Sequence, residues 1–94
     1  MRRLLIVSVL DEAWDLAPQV SVRPERFGAL LYHFGTRRLS FLKDPRLLVV
    51  VERLADAPTA GDACRGAGVG AAELPTFERA LARLAETDML RARR

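Results

Sequence analysis

The sequence has little of what most catalytic and metal-binding sites are built from. Its 94 residues include one cysteine, Cys64, and one histidine, His33. A single cysteine excludes an intramolecular disulfide and fits a reducing compartment. Zinc normally takes three or four suitable ligands, and a nucleophilic cysteine needs a base beside it. The sequence offers neither arrangement, so we expect no enzyme, no metal and no cofactor, and interpret Cys64 as a small buried residue.

The sequence also lacks an apolar run long enough to cross a membrane. The run from Leu4 to Leu10 is interrupted by Ser8, whereas a spanning helix needs about 20 apolar residues. Asp11 and Glu12 follow it where a secretion signal would have small residues for cleavage. We interpret residues 1–13 as an apolar arm and expect a cytoplasmic protein with no membrane partner.

Neither basic nor acidic residues are in large excess. The chain has 15 basic and 12 acidic residues, a net charge of +3, and its only lysine is Lys43. Some of the positive charge lies at Arg2 and Arg3 and in a basic tail predicted at residues 91–94. This distribution indicates a weak preference for anionic partners and no strong electrostatic field.

Alternation of apolar and polar residues predicts three antiparallel strands in the first half of the chain. An extended segment runs from Trp14 to Val22 and ends at Pro24, because proline cannot donate to a strand ladder. The second strand, 28–34, is followed by Gly35 and Thr36, which predict a two-residue type II′ turn.

The returning strand, 37–42, has two candidate inner faces. Leu39 and Phe41 share one face, and the other carries Arg38, Ser40 and Leu42. Because the first pair is larger and more apolar, we expect it to face the core or form the floor of a groove.

Three helices are predicted after the strands. Asp44 followed by Pro45 is typical of a helix start, and Thr59 with Asp62 predicts the start of a second helix. A third helix is expected from about Glu73 to Asp88. The order predicts an α+β domain over residues 14–90, with a three-stranded antiparallel sheet followed by three helices.

Two kinds of binding remain open for such a domain. If the second and third helices form a helix-turn-helix, Arg79 and Arg83 would lie on a DNA-reading helix, although Glu78 and Glu86 share its exposed face. Alternatively, strand 37–42 is a sheet edge to which a peptide adds as a further strand. On the second hypothesis, Ser40→Pro should abolish peptide binding.

Two blocks of sequence carry a family resemblance. They are the hairpin block from Val22 to Leu42 (VRPERFGALLYHFGTRRLSFL) and the helical block from Arg79 to Ala85 (RALARLA). With these blocks the chain resembles the PqqD-like peptide chaperones, the recognition elements of ribosomal natural-product pathways, and most of all the member of the mycofactocin system.

The resemblance implies a winged-helix-like fold and a non-enzymatic task. Such a protein holds the leader of a short precursor peptide and presents it to a radical S-adenosylmethionine maturase, with no nucleic acid involved. Outside the resemblance, the apolar run from Leu4 to Leu10 leaves a homodimer as an option, since it could occupy a sheet edge in its own chain or in a dimer mate. The leader docks beside the third strand, against the third helix. Transferred to this sequence, the peptide-binding residues would be Arg37, Arg38, Leu39, Ser40, Phe41, Leu42, Thr76, Arg79, Ala80 and Arg83.

Overall fold

The computed structural model describes residues 8–93 and has the predicted α+β architecture. A three-stranded antiparallel sheet precedes the helices, as expected, and a second sheet of two short strands was not predicted. The strands are β1 (Trp14–Leu16), β2 (Val20–Glu25), β3 (Gly28–His33), β4 (Arg38–Leu42) and β5 (Leu90–Ala92). The helices are α1 (Pro45–Arg53), α2 (Ala60–Gly66) and α3 (Leu74–Glu86).

The predicted first strand is in fact two strands that belong to different sheets. The chain turns between them, where the N–H of Val20 donates to the carbonyl of Ala17 at 3.0 Å. β1 pairs with β5, and β2 pairs with β3. Contrary to the prediction, Pro24 does not end β2 but lies within it, opposite Ala29. Proline is tolerated there because β2 is an edge strand, on which one row of N–H groups has no partner.

The β3–β4 turn also differs from the prediction. The loop spans four residues, 34–37, and the left-handed conformation falls on Arg37, with φ of 65°, and not on Gly35. The N–H of Arg37 donates to the carbonyl of His33 at 2.7 Å. The imidazole Nδ1 of His33 accepts the N–H groups of Gly35 and Thr36, both at 3.0 Å. The only histidine therefore organises this turn from a buried position.

The helix starts are those that the sequence predicted. The carboxylate of Asp44 accepts the N–H of Arg46 at 2.8 Å, and the hydroxyl of Thr59 accepts the N–H of Asp62 at 3.1 Å. These contacts satisfy N–H groups that have no partner within the helix. α1 packs against β3 and β4, and α2 contacts α1 and α3. The largest fully buried side chains of the shared core are Leu31, Leu42, Leu54, Leu81, Met89 and Val50.

Both termini of the described chain are attached to this core. Residues 8–13 of the predicted apolar arm lie against α2 and α3, where the N–H of Ala60 donates to the carbonyl of Glu12 at 2.9 Å. Residues 1–7 lie outside the described residues. The predicted basic tail is partly a strand, since Arg91 and Ala92 belong to β5 and Arg93 contacts the end of α1. No helix among residues 8–93 has the length and apolarity needed to cross a bilayer.

Candidate functional site

A groove of about 570 Å³ lies between β4 and α3. We call it the β4–α3 groove. Its lining comes from the end of β4 and the start of α1 on one side, and from one face of α3 on the other. The residues are Ser40, Phe41, Leu42, Lys43, Asp44, Leu47, Thr76, Arg79, Ala80, Arg83 and Leu84.

The floor of the groove is apolar and continuous with the core. Leu42, Leu47 and Leu84 are buried, and Ala80 is half-buried on the wall formed by α3. Leu42 reaches the floor because it faces the helices, as do Ala29 and Leu31 on β3. Such a floor suits an apolar side chain that enters from outside.

The rim of the groove is cationic along α3. Arg79 and Arg83 are exposed, lie one helical turn apart and both line the groove, and Lys43 lies across from them. Among residues 8–93 none of these three side chains forms an ion pair. The two arginines that the DNA-binding alternative placed on a reading helix therefore border a groove whose other wall is β4.

The outer edge of β4 has backbone groups without a strand partner. The N–H of Phe34 donates to the carbonyl of Gln19 at 2.9 Å, which sets the alternation along β3. Residues 29, 31 and 33 consequently direct their backbone groups to β4, where their partners are Leu42, Ser40 and Arg38. The N–H and C=O groups of Leu39 and Phe41 then point away from β3. No strand among residues 8–93 pairs with this β4 edge.

The structure brings together most of the residues that the sequence suggested. Seven of the ten line the groove: Ser40, Phe41, Leu42, Thr76, Arg79, Ala80 and Arg83. Arg37, Arg38 and Leu39 do not line it and lie at the loop end of β4. Four further lining residues were not anticipated, namely Lys43, Asp44, Leu47 and Leu84. Their sequence signals were those of a helix cap and of buried helical stripes, which say nothing of a groove.

The prediction that Leu39 and Phe41 face the core or form the floor of the groove is wrong. Leu39 and Phe41 are 59% and 58% exposed, on the sheet face that is turned away from the helices. Leu42 is 1% exposed and faces the helices with Ser40. The reason is the register: Leu31, which is fully buried, pairs with Ser40, and Ala29 pairs with Leu42. The helices approach the face that carries the smaller side chains.

An ion-pair cluster lies beside the groove and includes the lining residue Asp44. The guanidinium of Arg46 contacts Asp44 at 3.1 Å and Glu73 at 2.7 Å, and it lies 5.2 Å from the ring centroid of Phe77. The hydrogen bonds from Arg46 hold the pKa of Asp44 and that of Glu73 below their ordinary values. The cluster joins the start of α1 to the start of α3.

We expect this cluster to make folding stability sensitive to acid. A carboxyl group whose pKa is lower in the folded state stabilises the fold above its unfolded pKa, which is about 4, and this contribution is lost as the pH falls through the folded pKa. The free energy of unfolding, measured by urea titration, should therefore decrease from about pH 5 downward. Glu73→Gln should make this decrease in the free energy of unfolding shallower. The decrease that remains should come from Asp44 and from Asp62, and the pKa of Asp62 is lowered chiefly by a hydrogen bond from Arg65. An unchanged pH profile in Glu73→Gln would contradict the assignment.

Cys64 and His33 lie apart from the groove and form no reactive site. Burial raises the pKa of the Cys64 thiol, which disfavours the nucleophilic thiolate. His33 is buried and uses Nδ1 to accept hydrogen bonds from its own turn. Residues 8–93 contain no cluster of three or more His, Cys, Asp or Glu side chains arranged to hold a metal ion.

Comparison with known proteins identifies the family. The family model described as "Peptide chaperone MftB family" matches residues 13–91. Proteins named peptide chaperone MftB from Mycobacterium tuberculosis and Mycobacterium ulcerans are 58% and 56% identical over 80 residues, which cover 85% of this chain and 73% of each relative. The protein of that name from Mycolicibacterium smegmatis is 51% identical over 80 residues, 85% of this chain and 78% of the relative. No solved structure gives a significant match.

The matched segment contains every element that builds the groove. It runs from Ala13 through α3 to Arg91 and so includes β4, the helix starts and the cationic rim. The family description, a peptide chaperone, agrees with the non-enzymatic role expected from the sequence. The chain belongs to the peptide chaperone MftB family.

Proposed function

We propose that the protein binds the leader of a ribosomally made precursor peptide as an added strand on β4 and presents it to the radical S-adenosylmethionine maturase of mycofactocin biosynthesis. The observation that supports this mechanism is the β4 edge, which runs along a groove with an apolar floor and a cationic rim. We place this activity in the cytoplasm, where a lone cysteine stays reduced.

Main-chain pairing would supply much of the affinity. Leu39 and Phe41 each present one N–H donor and one C=O acceptor to the open edge, and Arg37 uses its own N–H within the turn. A peptide strand that pairs with these two residues gains up to four hydrogen bonds, each with a net value of about 1 kcal/mol. Such pairing is independent of the peptide's side chains and accounts for the recognition of an extended segment.

Side chains of the peptide would supply the specificity. In an added strand every second side chain points toward the groove, and there an apolar residue contacts Leu42, Ala80 and Leu84. Arg79 and Arg83 are placed to pair with acidic residues of the leader. Because both arginines are exposed, each pair is worth about 0–1 kcal/mol and weakens with salt. Arg37 and Arg38, at the loop end of β4, would add long-range attraction for the same acidic leader.

Phe41→Pro is the sharpest test of strand addition. It removes an N–H on the β4 edge, and proline is compatible with an edge strand when that N–H faces outward. Ser40→Pro, suggested by the sequence alone, is less suitable, because the backbone of Ser40 pairs with Leu31 and the variant would damage the sheet. We expect Phe41→Pro to weaken binding of a synthetic leader peptide about tenfold or more, measured by titration calorimetry, since a lost partner costs about 1–3 kcal/mol.

Phe41→Ala is the matched control. It removes the same side chain but keeps the N–H, so its affinity for the leader should stay within about threefold of wild type if the main chain dominates. Equal losses in the two variants would assign the effect to the phenyl ring and contradict strand addition. If the folded wild-type protein binds no leader but binds duplex DNA with a steep salt dependence, the DNA-binding alternative is favoured instead.

A further inference from the structure

The sheet has a second exposed surface, which shares only residues of β4 with the proposed peptide site. We call it the outer face, the side of the large sheet turned away from the helices. The large hydrophobic side chains that residues 8–93 leave exposed all lie on it or at its ends: Phe27, Phe34, Leu39 and Phe41. Leu30 and Tyr32, which are half-buried, lie between them.

These side chains form one continuous apolar surface. Phe41 lies opposite Leu30 in the register, and its ring centroid is 6.1 Å from that of Phe27. Leu39 lies opposite Tyr32, whose ring meets Phe34 edge to face at 5.0 Å. Single exposed hydrophobic residues are common on protein surfaces, but a contiguous aromatic patch marks an interaction site. Aromatic residues and arginine are also the types that interfaces concentrate.

The charge around this surface is strongly biased. Residues 20–43, which form the sheet and its turns, contain five basic residues and one acidic residue, a net charge of +4. The whole chain has a net charge of +3, so the rest of the molecule carries −1. Of the five cations, Arg23 pairs with Glu25, whereas Arg38 and Lys43 belong to the groove side of β4. Arg26 and Arg37 lie in the turns at the two ends of the outer face, and neither forms an ion pair among residues 8–93.

This bias indicates what kind of molecule covers the outer face. A second copy of the chain would bring one cationic sheet against another, and like charges at an interface oppose association. A free peptide has its binding edge on β4, whereas the outer face is a flat surface of side chains across three paired strands. The complementary occupant is a folded protein with an apolar surface and an acidic rim.

We propose that the outer face docks the maturase that receives the bound peptide, through an apolar patch with acidic residues around it. The inference rests on the proposed function, since it presumes that a peptide is presented. β4 belongs to both surfaces: Ser40 and Leu42 face the groove, Leu39 covers the outer face, and Phe41 is exposed on the outer face and also borders the groove. An enzyme on the outer face therefore lies within the thickness of one strand from the bound leader, and neither ligand blocks the other.

The test uses a double variant, Phe27→Ser with Phe34→Ser, and the purified radical S-adenosylmethionine maturase as the probe. Neither residue belongs to β4 or lines the groove, and both side chains are exposed, so folding and leader binding should be unchanged. Binding of the maturase, measured by surface plasmon resonance, should weaken about tenfold or more, because large apolar residues at an interface commonly contribute over 1 kcal/mol each.

A charge variant supplies independent evidence. Arg26 lies beside Phe27 in the β2–β3 turn, whereas Arg53 lies at the end of α1 and is equally exposed. Arg26→Glu should slow association with the maturase and reduce its salt dependence, while Arg53→Glu, which changes the net charge by the same amount, should not. Equal effects of the two variants would mean that the net charge of the protein alone determines the association rate, and would contradict docking on the outer face.

Other outcomes overturn the inference in distinguishable ways. If the double variant binds the maturase like wild type, or wild type does not bind it at all, the outer face is not its docking site. If sedimentation shows a wild-type dimer that the double variant loses, the occupant is a second copy. If the double variant loses the leader, the surface belongs to the peptide site. Failure of wild type to bind any leader would contradict the proposed function, whereas the maturase titration would still report on the outer face.

Discussion

Gly28→Ala is expected to lower the free energy of unfolding by about 3 kcal/mol, a large effect for the addition of a single methyl group. Gly28 begins β3 with φ of +148°, a conformation that other residues rarely adopt. A Cβ built there lies 1.9 Å from the carbonyl oxygen of Leu42 and 2.9 Å from its carbonyl carbon. Both are backbone atoms, so the clash cannot be relieved by a side-chain rotation, and the β3–β4 pairing has to open.

The consequence of this change extends to the groove. Leu42 forms part of the floor, and its displacement should also weaken leader binding in whatever fraction remains folded. Gly66→Ala is the control, because a Cβ on Gly66 meets nothing closer than Arg53 Nη1 at 3.7 Å. That variant should be neutral or more stable by about 0.5 kcal/mol. Urea unfolding of both variants is the measurement, and a Gly28→Ala protein as stable as wild type would contradict the close approach.

Arg93→Ala is expected to cost about 2 kcal/mol of stability, although the residue lies in a segment that the sequence indicated as a tail. Its guanidinium donates to the carbonyls of Leu54, Ala55 and Ala57 at 3.1, 3.0 and 2.6 Å, and it pairs with Asp15 at 3.1 Å. These carbonyls follow α1, where the last C=O groups of a helix have no partner within it. One side chain thus caps α1 and attaches β5 to β1.

Two further variants separate this geometry from charge. Arg91→Ala removes the same charge from an exposed position in β5 and should change stability by less than about 0.5 kcal/mol. Arg93→Lys keeps the charge but loses the planar set of donors, so it should recover only part of the stability. Thermal unfolding of the three variants is sufficient for the comparison. If Arg91→Ala and Arg93→Ala lose equal stability, the hydrogen bonds to the end of α1 are not the cause.

The elements that local patterns specify were predicted well. Asp44 and Thr59 start helices in the structure as they do in the sequence, because a side-chain acceptor for the first N–H groups is a local property. The alternation on β3 correctly separated Ala29, Leu31 and His33 from Leu30 and Tyr32. The α+β order followed from these elements, and the family resemblance was confirmed by the comparisons.

Features that depend on distant contacts were missed. The pairing of β1 with β5 joins Trp14 to Ala92, and no pattern in either three-residue segment indicates the other. The predicted two-residue turn between β3 and β4 was wrong because His33 accepts two N–H groups and stabilises a longer loop. In that loop Arg37, and not a glycine, adopts the left-handed conformation. The side chain that decides this turn is held in place by burial, which a local sequence window does not reveal.

The chain order and the period of each segment thus established the strands, the helix starts and the candidate edge on β4, since each depends on neighbours in sequence. Which side of β4 the helices cover was decided by packing. Leu42 joins the buried cluster with its register partner Ala29, so it shares the helix-facing side of β4 with Ser40, while Leu39 and Phe41 stay exposed. That choice opened the β4–α3 groove on one side of the strand and left the outer face as a separate apolar surface on the other.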